Sequence, residues 1–413
     1  MDDRSTQRSL VVYTSAAHAT VHATELMYAA LLWRIGDTFG LDKLGLGLIA
    51  NVAAFAFGAG ALPSGVLSDW LTSRRVLRIC FLAAAGASLL VATASSTLML
   101  GVFMAVLGFC IGLYHPAATS LIAQGARQRG LVLGYHGMSG NIGLALAPAL
   151  ATLFGVTLGW RWAYVFLALM ALAMVGLLQV LALPKIERAP ARASTSATLH
   201  RSLPVLPLGL IIGAFVMNGF IYRGSMTFLP TLIKEQVHVH VLGIDQAALA
   251  GSLTTFALLT GGVGQYLGGR LSDRVPIERL AMQITIIVVP TLFLVGIGGG
   301  LLVVAAASVF IFFNFSGQPV FNSLLADYVP GSALGRGYGL SFFASFGLGS
   351  VAATFAGFMA DRWGTSSVFI GLAAFSLLTA ALAAALWRLS TRGALPLAVP
   401  EVEAIASLAP DDA

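Results

Sequence analysis

The sequence predicts an all-α membrane protein with twelve transmembrane helices in two pseudo-symmetric six-helix bundles. Hydrophobic residues make up 58% of its 413 residues and charged residues only 10%, whereas a soluble protein carries about 25% charged residues. Twelve apolar runs are long enough to cross a bilayer as helices, which takes about twenty residues each. A short motif, Gly65-Val-Leu-Ser-Asp69, recurs in the second half of the chain as Gly269-Arg-Leu-Ser-Asp273.

The apolar runs follow one another with short polar turns between them. They span residues 10–34, 44–68, 76–95, 98–123, 131–155, 160–183, 205–233, 247–269, 279–299, 301–326, 336–360 and 365–388. The segment 184–204 is rich in Pro, Ser, Thr and basic residues, which is typical of a flexible linker. It separates an N-terminal bundle, 1–183, from a C-terminal bundle, 205–392, which a tail of 393–413 follows.

The basic residues are distributed unevenly among the turns. Most of the 23 Lys and Arg residues fall on the side that also carries the linker and both chain ends. Cytoplasmic loops of membrane proteins carry an excess of basic residues, so we expect both termini and the linker to be cytoplasmic. The net charge of +6 therefore comes from basic residues that set the membrane topology, and it does not indicate a nucleic-acid partner.

The two halves also match outside the repeated motif. The stretch around Pro116 is similar to the stretch around Pro319, and similarity of two six-helix halves places a working cavity at their interface. A Gly-x-Leu-x-Asp motif with basic residues after the second helix resembles that of the major facilitator superfamily, and the resemblance covers nearly the whole chain. Trp70, Thr72 and Ser73 depart from the pattern of that family.

Two further stretches resemble particular branches of the superfamily. The run from Gly143 to Pro148 is similar to the antiporter-associated motif of the fifth helix, and Tyr114-His115-Pro116 resembles the fosmidomycin-resistance-type efflux proteins. The resemblance implies a transporter of a bacterial-type inner membrane that works, as a monomer, by rocking one bundle against the other.

Glu25 is the one acid that falls well inside a predicted helix. An ionised carboxylate in hydrocarbon is costly, so it must face a cavity, find a partner or be protonated. His18, His22 and Glu25 are spaced so that they share one face of the first helix. Three interpretations stay open: a proton and substrate site, a polar seam between helices, and a metal site, because His-x-x-x-His suits a cation.

Arg223 is the one basic residue in the interior of a predicted helix, away from the helix ends, and it lies in the other half at about the depth of Glu25. Arginine keeps its charge, so it needs an anion unless it snorkels to the interface. Asn218 and Tyr222 precede it and can extend a polar surface. We expect Glu25 and Arg223 to face one another across the cavity, with a pairing that depends on conformation or substrate.

Three polar residues of the fourth and fifth helices complete the candidate site. Histidine side chains in general titrate near neutrality, so His115 and His136 are candidates to relay protons, although a packing role for each is the alternative. Asn141 follows His136 on the fifth helix.

The repeated motif predicts a gate at the cytoplasmic ends of the helices. Asp69 lies where a carboxylate can cap the exposed N–H groups of a helix N-terminus, and the resemblance implies that this is the eleventh helix. Arg74 and Arg75 can pair across the gap with acids such as Asp327, unless all these charges only set topology. The predicted gate residues are Asp69, Arg74, Arg75, Asp273, Arg274 and Asp327.

These residues predict a secondary transporter that moves a small polar or anionic solute, with proton-driven efflux favoured. The alternatives are proton-coupled uptake and a divalent-metal or metal-chelate transporter that uses His18, His22 and Glu25. An enzyme would need a nucleophile–base pair or a closed ligand set, and no phosphate-binding Gly-Lys-Ser/Thr loop points to ATP. We expect no cofactor and no partner other than solute, protons and lipid.

Overall fold

Helices account for nearly all of the structure. The computed structural model describes residues 3–41, 43–184, 205–237 and 246–392, and no β-strand occurs among them. The helices are α1 Asp3–Ala30, α2 Leu32–Phe39, α3 Lys43–Trp70, α4 Ser73–Thr93, α5 Thr97–Gly112, α6 Tyr114–Gly125, α7 Arg129–Thr157, α8 Trp160–Val180, α9 Val205–Gln236, α10 Gln246–Ser272, α11 Ile277–Ile297, α12 Leu301–Tyr328, α13 Leu334–Phe342, α14 Val351–Trp363 and α15 Thr365–Thr391. The predicted linker, apart from Pro184, and the predicted tail lie outside the described residues.

The predicted polytopic all-helical membrane fold is confirmed. Nine helical stretches of the described chain are long and apolar enough to cross a membrane. Three more helices, α1, α7 and α10, have 28, 29 and 27 residues, which is also long enough, so the structure is consistent with twelve passes. These three helices are less apolar because they carry polar side chains such as His18, His136 and Gln265.

Three of the predicted single runs are interrupted helices. The first run begins at Asp3 and is broken at Leu31, beyond which α2 continues to Phe39. The run 98–123 is broken at Leu113, because Pro116 has no N–H to donate to the carbonyl four residues before it. Pro319, the residue equivalent to Pro116, lies inside α12, which continues through it without a break.

The predicted run 336–360 changes its winding in the middle. A π turn at Phe343–Gly347 and a 3₁₀ turn at Leu348–Ser350 separate α13 from α14. Gly58 of α3 packs against this segment, and a Cβ on Gly58 would lie 2.5 Å from the backbone nitrogen of Gly347. A π turn inside a membrane helix re-aims the side chains on either side of it.

Helices α3 and α7 join the two halves of the chain. α7 packs on α1 in its own half and on α10 in the other, while α3 packs on α5 and on α13. Glycines permit both inter-half contacts, because Gly65 meets the backbone of Gly335 and Gly269 meets the backbone of Gly130. Small residues let transmembrane helices approach closely, so two tight seams close the end of the molecule that carries Asp69 and Asp273. We call this end the gate side.

Candidate functional site

Two adjoining cavities lie between the halves of the chain. The smaller has a volume of about 120 Å³ and the larger about 610 Å³. Asn141, Leu144, Tyr222 and Phe315 line both cavities and therefore separate them. The side chains predicted to bind protons or substrate all line one cavity or both: His18, His22, Glu25, His115, His136, Asn141, Asn218, Tyr222 and Arg223.

His18, His22 and Glu25 form one continuous hydrogen-bonded chain, which we call the proton chain. The Glu25 Oε2 atom lies 2.7 Å from His22 Nδ1, and His22 Nε2 lies 3.0 Å from His18 Nε2. His18 Nδ1 lies 2.5 Å from the backbone carbonyl oxygen of His136, on α7. The predicted shared face of α1 is thus a linear path from the larger cavity to the neighbouring helix.

Gly140 of α7 makes room for the two imidazole rings. A Cβ at this position would lie 2.5 Å from Cε1 of His18 and 2.8 Å from Cδ2 of His22. Gly143, one turn further along α7, brings that helix against the backbone of Ala19. The glycines of α7 therefore fix how closely the histidines of α1 approach it.

His136 and His115 pack around the end of the proton chain. The ring of His136 stacks on that of His18 with centroids 3.8 Å apart, and its Nδ1 lies 3.2 Å from the carbonyl oxygen of Thr14. His115 stacks on Phe342 with centroids 4.8 Å apart. Its Nε2 is buried and has no hydrogen-bond partner in the described chain, so it can accept a hydrogen bond from a molecule in the smaller cavity.

Ring nitrogens of His18, His115 and His136 lie within 4.8 Å of one another. This trio differs from the predicted metal set of His18, His22 and Glu25. Both nitrogens of His18 are already hydrogen-bonded, to His136 and to His22. In this conformation the trio does not offer three uncommitted nitrogens to a metal ion.

Glu25 of α1 and Arg223 of α9 both line the larger cavity. The structure brings them to one chamber but not into contact, since the hydrogen-bond partner of Glu25 is His22. The guanidinium of Arg223 makes no ion pair or hydrogen bond with the described residues. Arg223 acts electrostatically on Glu25 without a direct contact, so its guanidinium keeps all its N–H donors for an anionic group in the cavity.

Sequence reasoning missed most of a cluster of carboxamides in the smaller cavity. Asn141 Nδ2 donates to Gln265 Oε1 at 2.8 Å, and Gln265 Nε2 donates to Gln318 Oε1 at 2.7 Å. No Asp, Glu, Lys or Arg occurs among the lining residues described for this cavity. The cluster consists of Asn141, Asn218, Gln265, Asn314, Gln318 and Asn322.

Three of these carboxamides carried a signal in the sequence. Asn314, Gln318 and Asn322 of α12 are spaced by four residues, which places them along one helix face. The same reasoning identified His18 and His22 on α1.

Asp69 caps a helix of the opposite half on the gate side. Its two carboxylate oxygens accept hydrogen bonds from the backbone N–H groups of Gly335 at 2.8 Å and Arg336 at 3.1 Å. The Arg336 side chain donates a third hydrogen bond at 2.9 Å. These groups begin α13, so the carboxylate lies at the positive end of the helix dipole, where an anion is stabilised.

Asp273 makes the equivalent contact in the other direction. Its oxygens accept hydrogen bonds from the backbone N–H groups of Gly130 and Leu131, each at 2.8 Å. These groups lie in the first turn of α7. Each half of the chain therefore caps one helix of the other half, and we call the two contacts the reciprocal caps.

The expected pairing of Arg74 or Arg75 with Asp327 was wrong. Asp327 pairs with Arg129 of α7 at 2.6 Å, which adds a third contact between the halves. Arg74 donates to the carbonyl oxygen of Leu178, near the end of α8. Because α4 packs on α8, the guanidinium satisfies a helix C-terminus in its own half, where cations are favoured.

The side chains of Arg75 and Arg274 make no ion pair with the described residues. Both are exposed on the gate side. In this conformation they contribute charge to the surface and do not bridge the halves.

Comparisons with known proteins agree with this architecture. The chain is 27% identical over 260 residues to a probable sulfoacetate transporter of Cupriavidus necator, a match that spans 58% of this chain and 59% of the relative. It is 23% identical to a probable sugar efflux transporter of Mannheimia succiniciproducens, with 70% of this chain and 71% of the relative covered.

Solved structures share the fold at low sequence identity. A proton:xylose symporter superposes with a TM-score of 0.76 at 15% identity and covers 94% of this chain and 96% of its own. The human organic anion transporter MFSD10 gives 0.72 at 16% identity, with 93% and 100% covered. The profile of the Major Facilitator Superfamily matches residues 14–354. The chain therefore belongs to the Major Facilitator Superfamily and is a multi-pass membrane transporter, not an enzyme.

Proposed function

We propose that this protein is an inner-membrane exporter that exchanges a small polar or anionic solute for protons by alternating access. The observation that carries the proposal is the arrangement of the proton chain and Arg223 around one cavity between the halves. Membrane-embedded ionisable groups at such a position belong to ion and substrate pathways. With the gate side facing the cytoplasm, the closed seams and the larger cavity correspond to an outward-facing state.

The cavities support a division of tasks. Glu25, with 23% of its side chain accessible, takes up and releases the proton, and Arg223 attracts an anionic group of the solute. The uncharged carboxamides of the smaller cavity offer both donors and acceptors, which suits hydroxyl groups. Probable sugar efflux transporters and a probable sulfoacetate transporter stand among the relatives, and either kind of solute is compatible with these walls.

Proton-coupled uptake is the second candidate. A fucose symporter and a xylose symporter, both proton-coupled, share the fold. In that direction, an anionic solute on Arg223 would favour a protonated Glu25, because the positive charge of Arg223 would then be neutralised. For export, the proton and the solute must instead disfavour one another.

The test is a screen of solutes in proteoliposomes that contain a pH-sensitive dye. For the proposed function, a solute gradient moves protons in the opposite direction with the wild-type protein. Glu25→Gln keeps solute exchange but loses the pH dependence of net transport, because the amide cannot release a proton. Glu235→Gln, at the far end of α9, is the matched control and retains coupling. Unchanged pH-driven transport in Glu25→Gln would place the coupling site elsewhere, with His115 or His136 next to be tested.

A further inference from the structure

The geometry points to a minimum proton content for the intact proton chain: we infer that, while all three contacts hold, Glu25, His22 and His18 together carry at least one proton more than a carboxylate and two neutral imidazoles. The inference deepens the proposed function and rests on it only for its link to transport. It follows from counting donors and acceptors along three consecutive contacts, whichever tautomer each ring adopts.

The count begins at the α7 end of the chain. A backbone carbonyl oxygen only accepts, so His18 Nδ1 must donate its proton to the carbonyl of His136. The 3.0 Å contact between the Nε2 atoms of His18 and His22 needs one proton between them. The 2.7 Å contact between His22 Nδ1 and Glu25 Oε2 needs one more. Three contacts therefore require three protons.

With three protons, three arrangements satisfy all three contacts. Glu25 is protonated and both rings are neutral, or Glu25 is ionised and the imidazolium is either His22 or His18. Each arrangement carries the same three protons, so the extra proton can shift along the chain without breaking a contact. An ionised Glu25 with two neutral rings has only two protons, so one contact must then fail. A fourth proton on Oε1 of Glu25 would leave the contact at Oε2 intact, so three protons are the minimum for the intact proton chain.

Loss of the extra proton therefore breaks one particular hydrogen bond of the proton chain. His18 still donates to the carbonyl of His136, and His22 donates Nδ1–H to the carboxylate. Two Nε2 lone pairs are then left facing each other at 3.0 Å, which is repulsive. The His18–His22 contact breaks, and the proton leaves through Glu25, the one member that lines the larger, more open cavity, to water.

The groups around the chain do not replace the missing proton. His115 and Tyr114 of α6 and His136 of α7 face His18 by ring contacts, and Tyr114 donates its hydroxyl proton to the carbonyl of Thr14. Arg223 and Tyr222 of α9 act on Glu25 electrostatically, and neither is hydrogen-bonded to a member of the proton chain. Neither Cys110 of α5 nor Tyr164 of α8, on the other helices packed against α1, contacts the chain.

The test is nitrogen-15 solid-state NMR of the histidine-labelled, full-length protein in lipid bilayers. The measured quantity is the scalar coupling between the Nε2 atoms of His18 and His22 across their hydrogen bond. In the wild-type protein the coupling is present at low pH and is lost as the pH rises, in step with release of one proton per protein. A coupling that is absent at low pH, or that persists after this proton is released, overturns the inference.

Glu25→Gln provides the decisive variant. Its amide N–H can donate to His22 Nδ1, so the three contacts are complete with both rings neutral, and the coupling persists at every pH without proton release. Loss of the coupling in Glu25→Gln, or a pH-dependent coupling there, overturns the inference, and Glu235→Gln is expected to behave as the wild type. These readings do not involve transport, so failure of the proposed exchange would appear only in the proteoliposomes.

Discussion

At the scale of single residues, the histidine-rich face of α1 could be predicted, but its partners could not. The spacing of His18, His22 and Glu25 determines that they share a face, because an α-helix has a fixed period. The carbonyl of His136 and the glycine beside the rings come from α7, and no local pattern encodes which helix packs there. Gln265 was missed for the same reason, since one carboxamide in an apolar run has no period.

Gly140→Ala is expected to break the proton chain while leaving the fold intact. The added methyl group would overlap the rings of His18 and His22, and overpacking of this kind costs about 1–3 kcal/mol. We expect proton-driven transport and the His18–His22 coupling to fall together, with a modest loss of thermal stability. Gly176→Ala in α8 is the control, because no atom lies within 4 Å of its new Cβ. Equal behaviour of the two variants would assign Gly140 no role in positioning the rings.

Arg223→Ala is expected to weaken binding of anionic solutes selectively. A hydrogen bond to a charged group contributes about 1.5–3 kcal/mol, which corresponds to a loss of about ten- to a hundredfold in affinity. Neutral solutes should bind nearly as before, and Arg223→Lys should retain part of the anion affinity because it keeps the charge. Titration calorimetry with a charged solute and an uncharged analogue measures the difference. Equal losses for both solutes would assign Arg223 to packing.

At the scale of helices, the gate shows where sequence reasoning succeeds and where it stops. The resemblance to the superfamily implied that Asp69 caps the eleventh helix, and in the structure its carboxylate accepts a hydrogen bond from Gly335 at the start of α13. The partner of Asp327 could not be predicted, because the sequence offers both Arg74 and Arg129 as basic residues near the gate. Only helix packing, of α4 on α8 and of α7 near α12, places Arg129 beside Asp327. Thr72 departs from the family motif and has a φ of 131°, a backbone conformation that favours glycine.

Asp69→Asn and Asp273→Asn are each expected to open the gate side without unfolding the protein. Caps and dipole contacts contribute about 0.5–2 kcal/mol, so each variant should raise the gate-open population about two- to thirtyfold. The measurement is labelling of Thr119→Cys, which lines the smaller cavity, by a membrane-impermeant maleimide applied from the gate side, after replacement of Cys80 and Cys110. Asp361→Asn at the end of α14 is the control. Unchanged labelling in both variants would leave the aspartates with a role in topology alone.

At the scale of the whole molecule, hydrophobic pattern and internal repetition were sufficient to predict the fold. In lipid the backbone must form either helices or a closed barrel, and the runs here are too long and too uniformly apolar for the short alternating strands of a barrel. The interruptions at Leu31 and Phe343–Gly347 were not predicted. The break at Leu113 accompanies Pro116, whereas the equivalent Pro319 leaves α12 unbroken.

The predicted orientation can be tested independently of transport. A reporter enzyme fused near Ser194, in the predicted linker, and another at the C-terminus should both report the cytoplasm, because basic residues concentrate on that side. A reporter at Gly299, between α11 and α12, should report the opposite side. A periplasmic signal from Ser194 would overturn the arrangement of six helices on each side of the linker.

The reciprocal caps have a consequence for how such a chain can be assembled. The backbone N–H groups in the first turn of α7 donate to Asp273, and those of α13 donate to Asp69. Each of these two helices therefore depends on a carboxylate from the other half of the chain. In a homodimer related by a two-fold axis, a contact from residue i to residue j is always accompanied by its mirror from j to i. The caps follow that rule within one polypeptide, so the seam between the halves has the form of an isologous dimer interface whose two protomers have been joined end to end.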